Sequence, residues 1–132
     1  THGVMDSLLC AAALGDLGKL FPDTSAEYKY SDSMLLLDRV CALLKEKNFT
    51  IGNIDATVIA QAPKLAPYIG GMRDCLARHC GISVEQVSVK ATTEEHLGFT
   101  GSGEGIAAHA VCLIEARMAE SDKQTANLLH TL

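Results

Sequence analysis

The sequence predicts a single α+β domain in which helices pack on one face of a small mixed β-sheet. Apolar residues recur at helical spacing in three stretches, and β-branched runs mark three others. No repeat and no linker divides them, so the order α-α-β-α-β-β belongs to one folding unit.

Between Val4 and Leu14, the residues Val4, Met5, Leu8, Leu9, Ala12 and Ala13 recur at helical spacing, and Gly15 is a natural stop. GDLGKLFPDTSAEY, dense in Gly, Asp and Pro, reads as an ordered loop. Ser31 or Asp32 is suited to cap a second helix through MLLLDRVCALLKEK, with Lys45 and Lys47 at its negative end. FTIGNIDATVIA turns to strand chemistry with partial alternation, and Pro63 and Pro67 frame the loop QAPKLAP. A third helix runs from about Tyr68 to Cys80 and stops at Gly81, although Gly70-Gly71 weakens its interior. VSVKA is a short strand, and GIAAHAVCLIEAR is a longer one beyond a glycine-rich run. The polar tail SDKQTANLLHTL is expected to fray or to add a helical turn.

A chain of 132 residues with 48% hydrophobic residues can bury a core of its own. The net charge is −5 and no stripe of Lys and Arg occurs, which argues against nucleic acid as a partner. No apolar run reaches the ~20 residues that span a bilayer. The opening THGVMDSLL has no basic n-region, so no signal peptide is expected. Cys10, Cys41, Cys75, Cys80 and Cys112 form no CxxC pair and sit in apolar patterns, which predicts buried structural thiols in a reducing compartment.

Several residues can carry chemistry. His2 and Asp6, four apart, can share a metal or pair as imidazole and orienting carboxylate; spacing alone favours a solvated histidine and a capping aspartate. Asp16, Lys19 and Asp23 lie among Gly15, Gly18 and Pro22, where carboxylates can accept hydroxyls of a polyol or simply fix turns. Lys64 follows a strand as the only cation of its loop, placed to meet a phosphate or to stay solvated. In KATTEEHLGFTGSGEG, Glu94 and Glu95 suit a hard divalent cation, and the glycines permit close backbone approach. The run lacks GxxxxGK[ST] and is not a P-loop. His96 and His109 have no partner at metal-site spacing.

Taken in order, His2 with MDSLLCAAALGDLGKLFPDT, then FTIGNIDATVIAQAPKLAP, then VSVKATTEEHLGFTGSGEGIAAHAV resemble the 2-C-methyl-D-erythritol 2,4-cyclodiphosphate synthase family, from His2 to about Ile114. The resemblance implies a homotrimeric α+β lyase of the non-mevalonate isoprenoid pathway, with active sites between neighbouring subunits. Its substrate is a diphosphocytidyl methylerythritol bearing a 2-phosphate, which attacks its own diphosphate and expels CMP. Zinc and magnesium (or manganese) are the implied cofactors, flanking the diphosphate.

Carried onto this chain, the resemblance makes His2 a zinc ligand, Glu95 the magnesium ligand and Thr93 the residue that stabilises the transition state. Asp16, Gly18, Phe21, Asp23, Ser25 and Phe99 become substrate contacts. Ala60, Pro63, Lys64, Leu65, Ala66, Ala91 and Thr92 become the nucleotide pocket. The family's Asp-x-His and His-Ser-Asp-Gly segments have no counterpart before His2, so residues 1–118 are expected to be an N-terminally shortened catalytic domain with 119–132 as tail. Ser102 stands where some members carry a basic residue, and Ser25 where many carry Asp. The implied location is the bacterial cytoplasm or, behind a removed targeting segment, the plastid stroma. Two alternatives stay open: a trimeric nucleotide-binding homologue that has lost its zinc centre, and a regulatory trimer of related shape.

Overall fold

In the computed structural model, which describes residues 1–21, 30–61, 64–93, 98 and 105–117, three strands form one sheet of order β2-β1-β3. β1 is Phe49–Ile59, β2 is Val87–Thr92 and β3 is Ala107–Ala116. β1 pairs in parallel with β2 and antiparallel with β3, so the sheet is mixed, as expected. Helices α1 (His2–Ala11), α3 (Tyr30–Glu46) and α4 (Ile69–Cys80) pack against the sheet, and a short α2 (Leu17–Leu20) follows α1. The tail expected over 119–132 lies outside the described residues. Among those residues no helix is long and apolar enough to cross a membrane.

The partial alternation of β1 has a physical cause. Phe49 and Ile51 pack against the core, and so do Ile54 and Ala56, although these two sets differ in phase. The register shifts between Ile51 and Asn53, leaving Gly52 as an extra residue that resets the pleat. A Cβ at Gly52 would stand 3.3 Å from the Leu113 carbonyl, tighter than a side chain tolerates without a shift. Ile54 then meets Val87 and Ala56 meets Val89 across the parallel edge, all four buried.

On the helix side, Met5, Leu8 and Leu9 of α1 interlock with Leu37, Val40 and Leu44 of α3, each almost wholly buried. Arg73 of α4 reaches the loop before β2, donating from Nε to Val87 O at 2.7 Å and from Nη2 to Val84 O at 2.9 Å. That turn is itself fixed by a capping box between Ser83 and Gln86.

Helix boundaries differ from the sequence expectation at two places. α1 ends at Ala11 rather than near Leu14, and glycine does not stop it. Ala13 takes φ 57°, its N–H donating to Cys10 O at 3.0 Å while Leu14 N–H donates to Leu9 O at 2.9 Å. Gly81 after α4, at φ 67°, makes the same two bonds: Gly81 N–H to Arg78 O and Ile82 N–H to Ala77 O. Both ends are left-handed caps of the Schellman type, one built on glycine and one on alanine. The second difference is α3, which is already helical at Tyr30; Ser31 and Asp32 therefore lie inside its first turn and are not its cap.

The expected loop GDLGKLFPDTSAEY also contains α2, which the sequence reading missed. Two carboxylates make it possible. Asp16 caps it by accepting Lys19 N–H at 2.8 Å, and Asp6 of α1 accepts Leu17 N–H at 2.8 Å. Those bonds satisfy two of the orphan donors that would make a four-residue helix unstable alone.

Ala13→Gly is expected to raise stability by about 0.5–1 kcal/mol, because a Cβ is strained at positive φ; an unchanged urea midpoint would refute this. Asp6→Ala is expected to cost about 1 kcal/mol, as for a lost helix cap. Hydrogen exchange should locate that loss at Leu17–Leu20, and unaltered protection there would show that the bond does not hold α2.

Candidate functional site

The parallel strands β1 and β2 end side by side, with Ile59 opposite Thr92 and Ala60 N–H donating to Thr92 O at 3.1 Å. Beyond those carboxyl ends the two chain segments part and leave a cavity of about 180 Å³. Strand ends of this kind are the usual ligand positions of parallel sheets. Ala60, Gln61, Lys64, Leu65 and Ala66 line it from the segment after β1, and Ala91, Thr92 and Thr93 from the end of β2.

Local chemistry fixes this wall. Ala60 is buried, anchoring the exit from β1. Leu65 O accepts Tyr68 N–H at 2.9 Å in a single 3₁₀ turn, Ala66–Tyr68, that leads into α4. Pro67 sits in that first turn, where its missing N–H costs nothing. Lys64 is exposed at the rim, and among the described residues it is the one charged side chain lining the cavity. Thr92 and Thr93 are exposed as well, so two hydroxyls and one ammonium face a pocket otherwise made of alanine, leucine and an amide. That set can hold an anion from one side by a point charge and hydroxyl donors.

Of the residues named from sequence, Ala60, Lys64, Leu65, Ala66, Ala91, Thr92 and Thr93 thus share one cavity. Gln61, within the same span 60–66 that the resemblance assigns to the nucleotide pocket, lines it too. The remaining described candidates do not line this cavity. His2 is exposed at the first position of α1. Asp16 caps α2 with one oxygen, so its turn role is real. Gly18 is exposed, and a Cβ there would meet only Asp16 Oδ1 at 3.6 Å, an ordinary contact. Phe21 is half-buried against the core. Asp23, Ser25, Pro63, Glu95, Phe99 and Ser102 lie outside the described residues, as do Glu94 and His96.

Asp6 spends Oδ1 on Leu17 N–H, and the helix it caps is the next one, a bond sequence spacing could not reveal. Among the described residues no three His, Cys, Asp or Glu side chains come together to hold a metal. His2 alone falls short of the three protein ligands a catalytic zinc takes, so the described residues of one chain do not fit that ion. The expectation of buried thiols is corrected at Cys10, which is exposed on α1; the other four cysteines are part-buried.

A second cavity, about 220 Å³, lies between the sheet and the helices and is lined by apolar groups such as Met34, Met72, Leu76 and Val58. It is more enclosed than the strand-end cavity but offers little polar chemistry. Cys75 Sγ points there to Met34 Sδ at 3.5 Å.

Comparisons with known proteins bear on this arrangement. The model of the YgbB family matches residues 1–115. A protein of Trichlorobacter lovleyi named 2-C-methyl-D-erythritol 2,4-cyclodiphosphate synthase is 56% identical over 113 residues, 86% of this chain and 72% of that protein. One of the same name from Pseudomonas aeruginosa is 57% identical over 116 residues, 88% of this chain and 74% of its own length. Among solved structures, IspF of Plasmodium falciparum in complex with CDP is 32% identical at a TM-score of 0.78, covering 89% of this chain and 70% of that one. The bifunctional IspDF of Campylobacter jejuni is 38% identical at a TM-score of 0.81, covering 87% of this chain and 31% of that one. With the family model matched across residues 1–115 and relatives above half identity over most of its length, this chain belongs to the YgbB family.

Proposed function

We propose that this chain is a phosphorus–oxygen lyase that converts 4-diphosphocytidyl-2-C-methyl-D-erythritol 2-phosphate to 2-C-methyl-D-erythritol 2,4-cyclodiphosphate and CMP, a step of non-mevalonate isoprenoid synthesis. The observation that carries this is the 56–57% identity, over most of both chains, to proteins that bear the name of that synthase. The shared cavity at the ends of β1 and β2 supports a nucleotide end of the site.

In the reaction, an oxygen of the 2-phosphate forms a bond to the diphosphate phosphorus nearer the methylerythritol. The bridging bond to the cytidylate phosphate breaks, and CMP leaves with the electron pair. No protein nucleophile is required, so the protein acts by holding the ends together and balancing charge. Ala60, Pro63, Lys64, Leu65, Ala66, Ala91 and Thr92 hold the cytidylate, with Lys64 beside a phosphate. The Thr93 hydroxyl donates to an oxygen of the transferring phosphoryl group. Asp16, Gly18, Phe21, Asp23, Ser25 and Phe99 receive the methylerythritol end. Since Asp16 and Gly18 do not line the cavity of Lys64, the two halves are best supplied by adjacent copies.

A homotrimer is supported by the outer face of β3, where Val111 and Leu113 are 71% and 58% exposed. Zinc at His2 and magnesium or manganese at Glu95 belong to the same reading. Among the described residues no three potential ligand side chains come together, and Glu95 lies outside them, so the reaction is described through the protein's own groups alone.

Thr93→Ala is expected to lower kcat by about 10²–10³, the cost of losing one transition-state donor, while CMP affinity changes little. Equal losses in both would reassign it to binding. Lys64→Ala should weaken CMP binding by roughly tenfold, in line with a lost charge-assisted bond; unchanged affinity would remove Lys64 from the pocket. CMP binding without CMP release from the diphosphocytidyl substrate would leave a nucleotide-binding homologue in place of the enzyme. Zinc that copurifies and disappears in His2→Ala supports the zinc reading, and equal zinc content in both proteins refutes it. Val111→Lys with Leu113→Lys should convert the trimer to monomer by light scattering, and an intact trimer would place the contact elsewhere.

A further inference from the structure

The opposite end of the sheet carries a second chemistry. A cavity of about 390 Å³ opens where α3 and α4 end beside the start of β1. The length of β1, 11 residues at roughly 3.3 Å each, separates it from the strand-end cavity. Its volume lies within the range of small-ligand sites. Three fixed cations line it, each from a different element: Lys45 in the last turn of α3, Arg78 in the last turn of α4, and Arg117 directly after β3. Phe49, Ile51 and Ile82 give it apolar walls, which focus the field of such charges.

We propose that this cavity is an anion site that takes a compact polyanion carrying two or more phosphoryl groups. Three like charges bordering one cavity repel one another, and an anion that enters it relieves all three. The guanidinium forks of Arg78 and Arg117 suit phosphoryl oxygens, and Lys45 adds a point charge.

The cations are open to a ligand. Among the described residues none of the three stands in an ion pair, and no carboxylate lines the cavity. Glu46 and Glu115 are close to Lys45 and Arg117 in sequence, yet neither lines it. His79, which does, is already paired through Nδ1 with Asp38 Oδ1 at 2.7 Å.

Basic residues at helix C-termini often serve only to balance the negative end of the helix. That accounts for Lys45 and Arg78 but not for Arg117, which belongs to no helix. Its N–H donates to Asn48 O at 2.6 Å, which fixes its backbone beside the end of α3. The backbone also bonds terminal carbonyls of both helices. Lys47 and Asn48 N–H donate to Leu43 O and Lys45 O, each at 3.0 Å, with Asn48 at φ 65°. Gly81 and Ile82 N–H do the same at the end of α4. With those carbonyls capped, the three side chains are free to meet a ligand.

The probe is inorganic triphosphate, titrated by calorimetry into the whole chain in EDTA at fixed ionic strength. One equivalent per chain should bind, and inorganic phosphate should bind more weakly by at least roughly tenfold, having fewer charge-assisted bonds to make. Arg78→Gln with Arg117→Gln should weaken triphosphate binding by roughly a hundredfold, about tenfold for each lost bond. Amide NMR shifts on the unsubstituted protein should gather at Thr50, Gly81 and Ile82. The proposal is overturned if triphosphate does not bind, if the double variant binds it as tightly, or if phosphate binds equally well. Shifts gathered at Gln61 and Thr92 instead would also overturn it, by placing the anion in the strand-end cavity. The shift map decides even if the double variant misfolds.

Discussion

β1 is hydrogen-bonded along both edges, and the other elements take their positions from it. Its parallel partner cannot be reached by a tight turn, so the chain must leave β1, cross over the sheet through α4 and return to begin β2. That crossover forces the exit at Ala60 and the turn at Leu65 to Tyr68, and the strand-end cavity is what remains between the two departing segments. The antiparallel edge to β3 has no such requirement, and there the Gly52 bulge does the adjusting. A single strand therefore fixes both the pocket and the face turned away from the helices.

Polar groups are used economically around this frame. Asp6 and Asp16 each give an oxygen to backbone N–H groups of one short helix, and Arg73 satisfies two carbonyls of the turn before β2. No buried side-chain nitrogen or oxygen among the described residues is left without a partner. Asp16 retains its second oxygen, so holding α2 and meeting a hydroxyl are compatible tasks for the same side chain.

Much of this was legible in the residues. The three long helices, the three strands and the one-sided packing follow from period and β-branching, and Gly81 ends α4 as its sequence indicates. The end of α1 was misread because Ala13 occupies a position where glycine is the usual signal. α2 was missed because its local cap, Asp16, also fits an ordinary turn, and its second support, Asp6, comes from eleven residues earlier as a tertiary contact with no local trace. Gln61 and Lys64 meet Ala91, Thr92 and Thr93 in one cavity only because parallel register places Ile59 against Thr92, and spacing along the chain does not encode that meeting.

The outer surface of β3 has a consequence for how the protein withstands dilution. Val111 and Leu113 present apolar area to water in the lone chain, and among the described residues β2 and β3 each keep one strand edge unpaired. Covering such a surface with further copies makes folding free energy depend on protomer concentration. In the proposed trimer the melting temperature would have no single value: it would rise with protein concentration, and the midpoint at nanomolar protein would report assembly as much as packing.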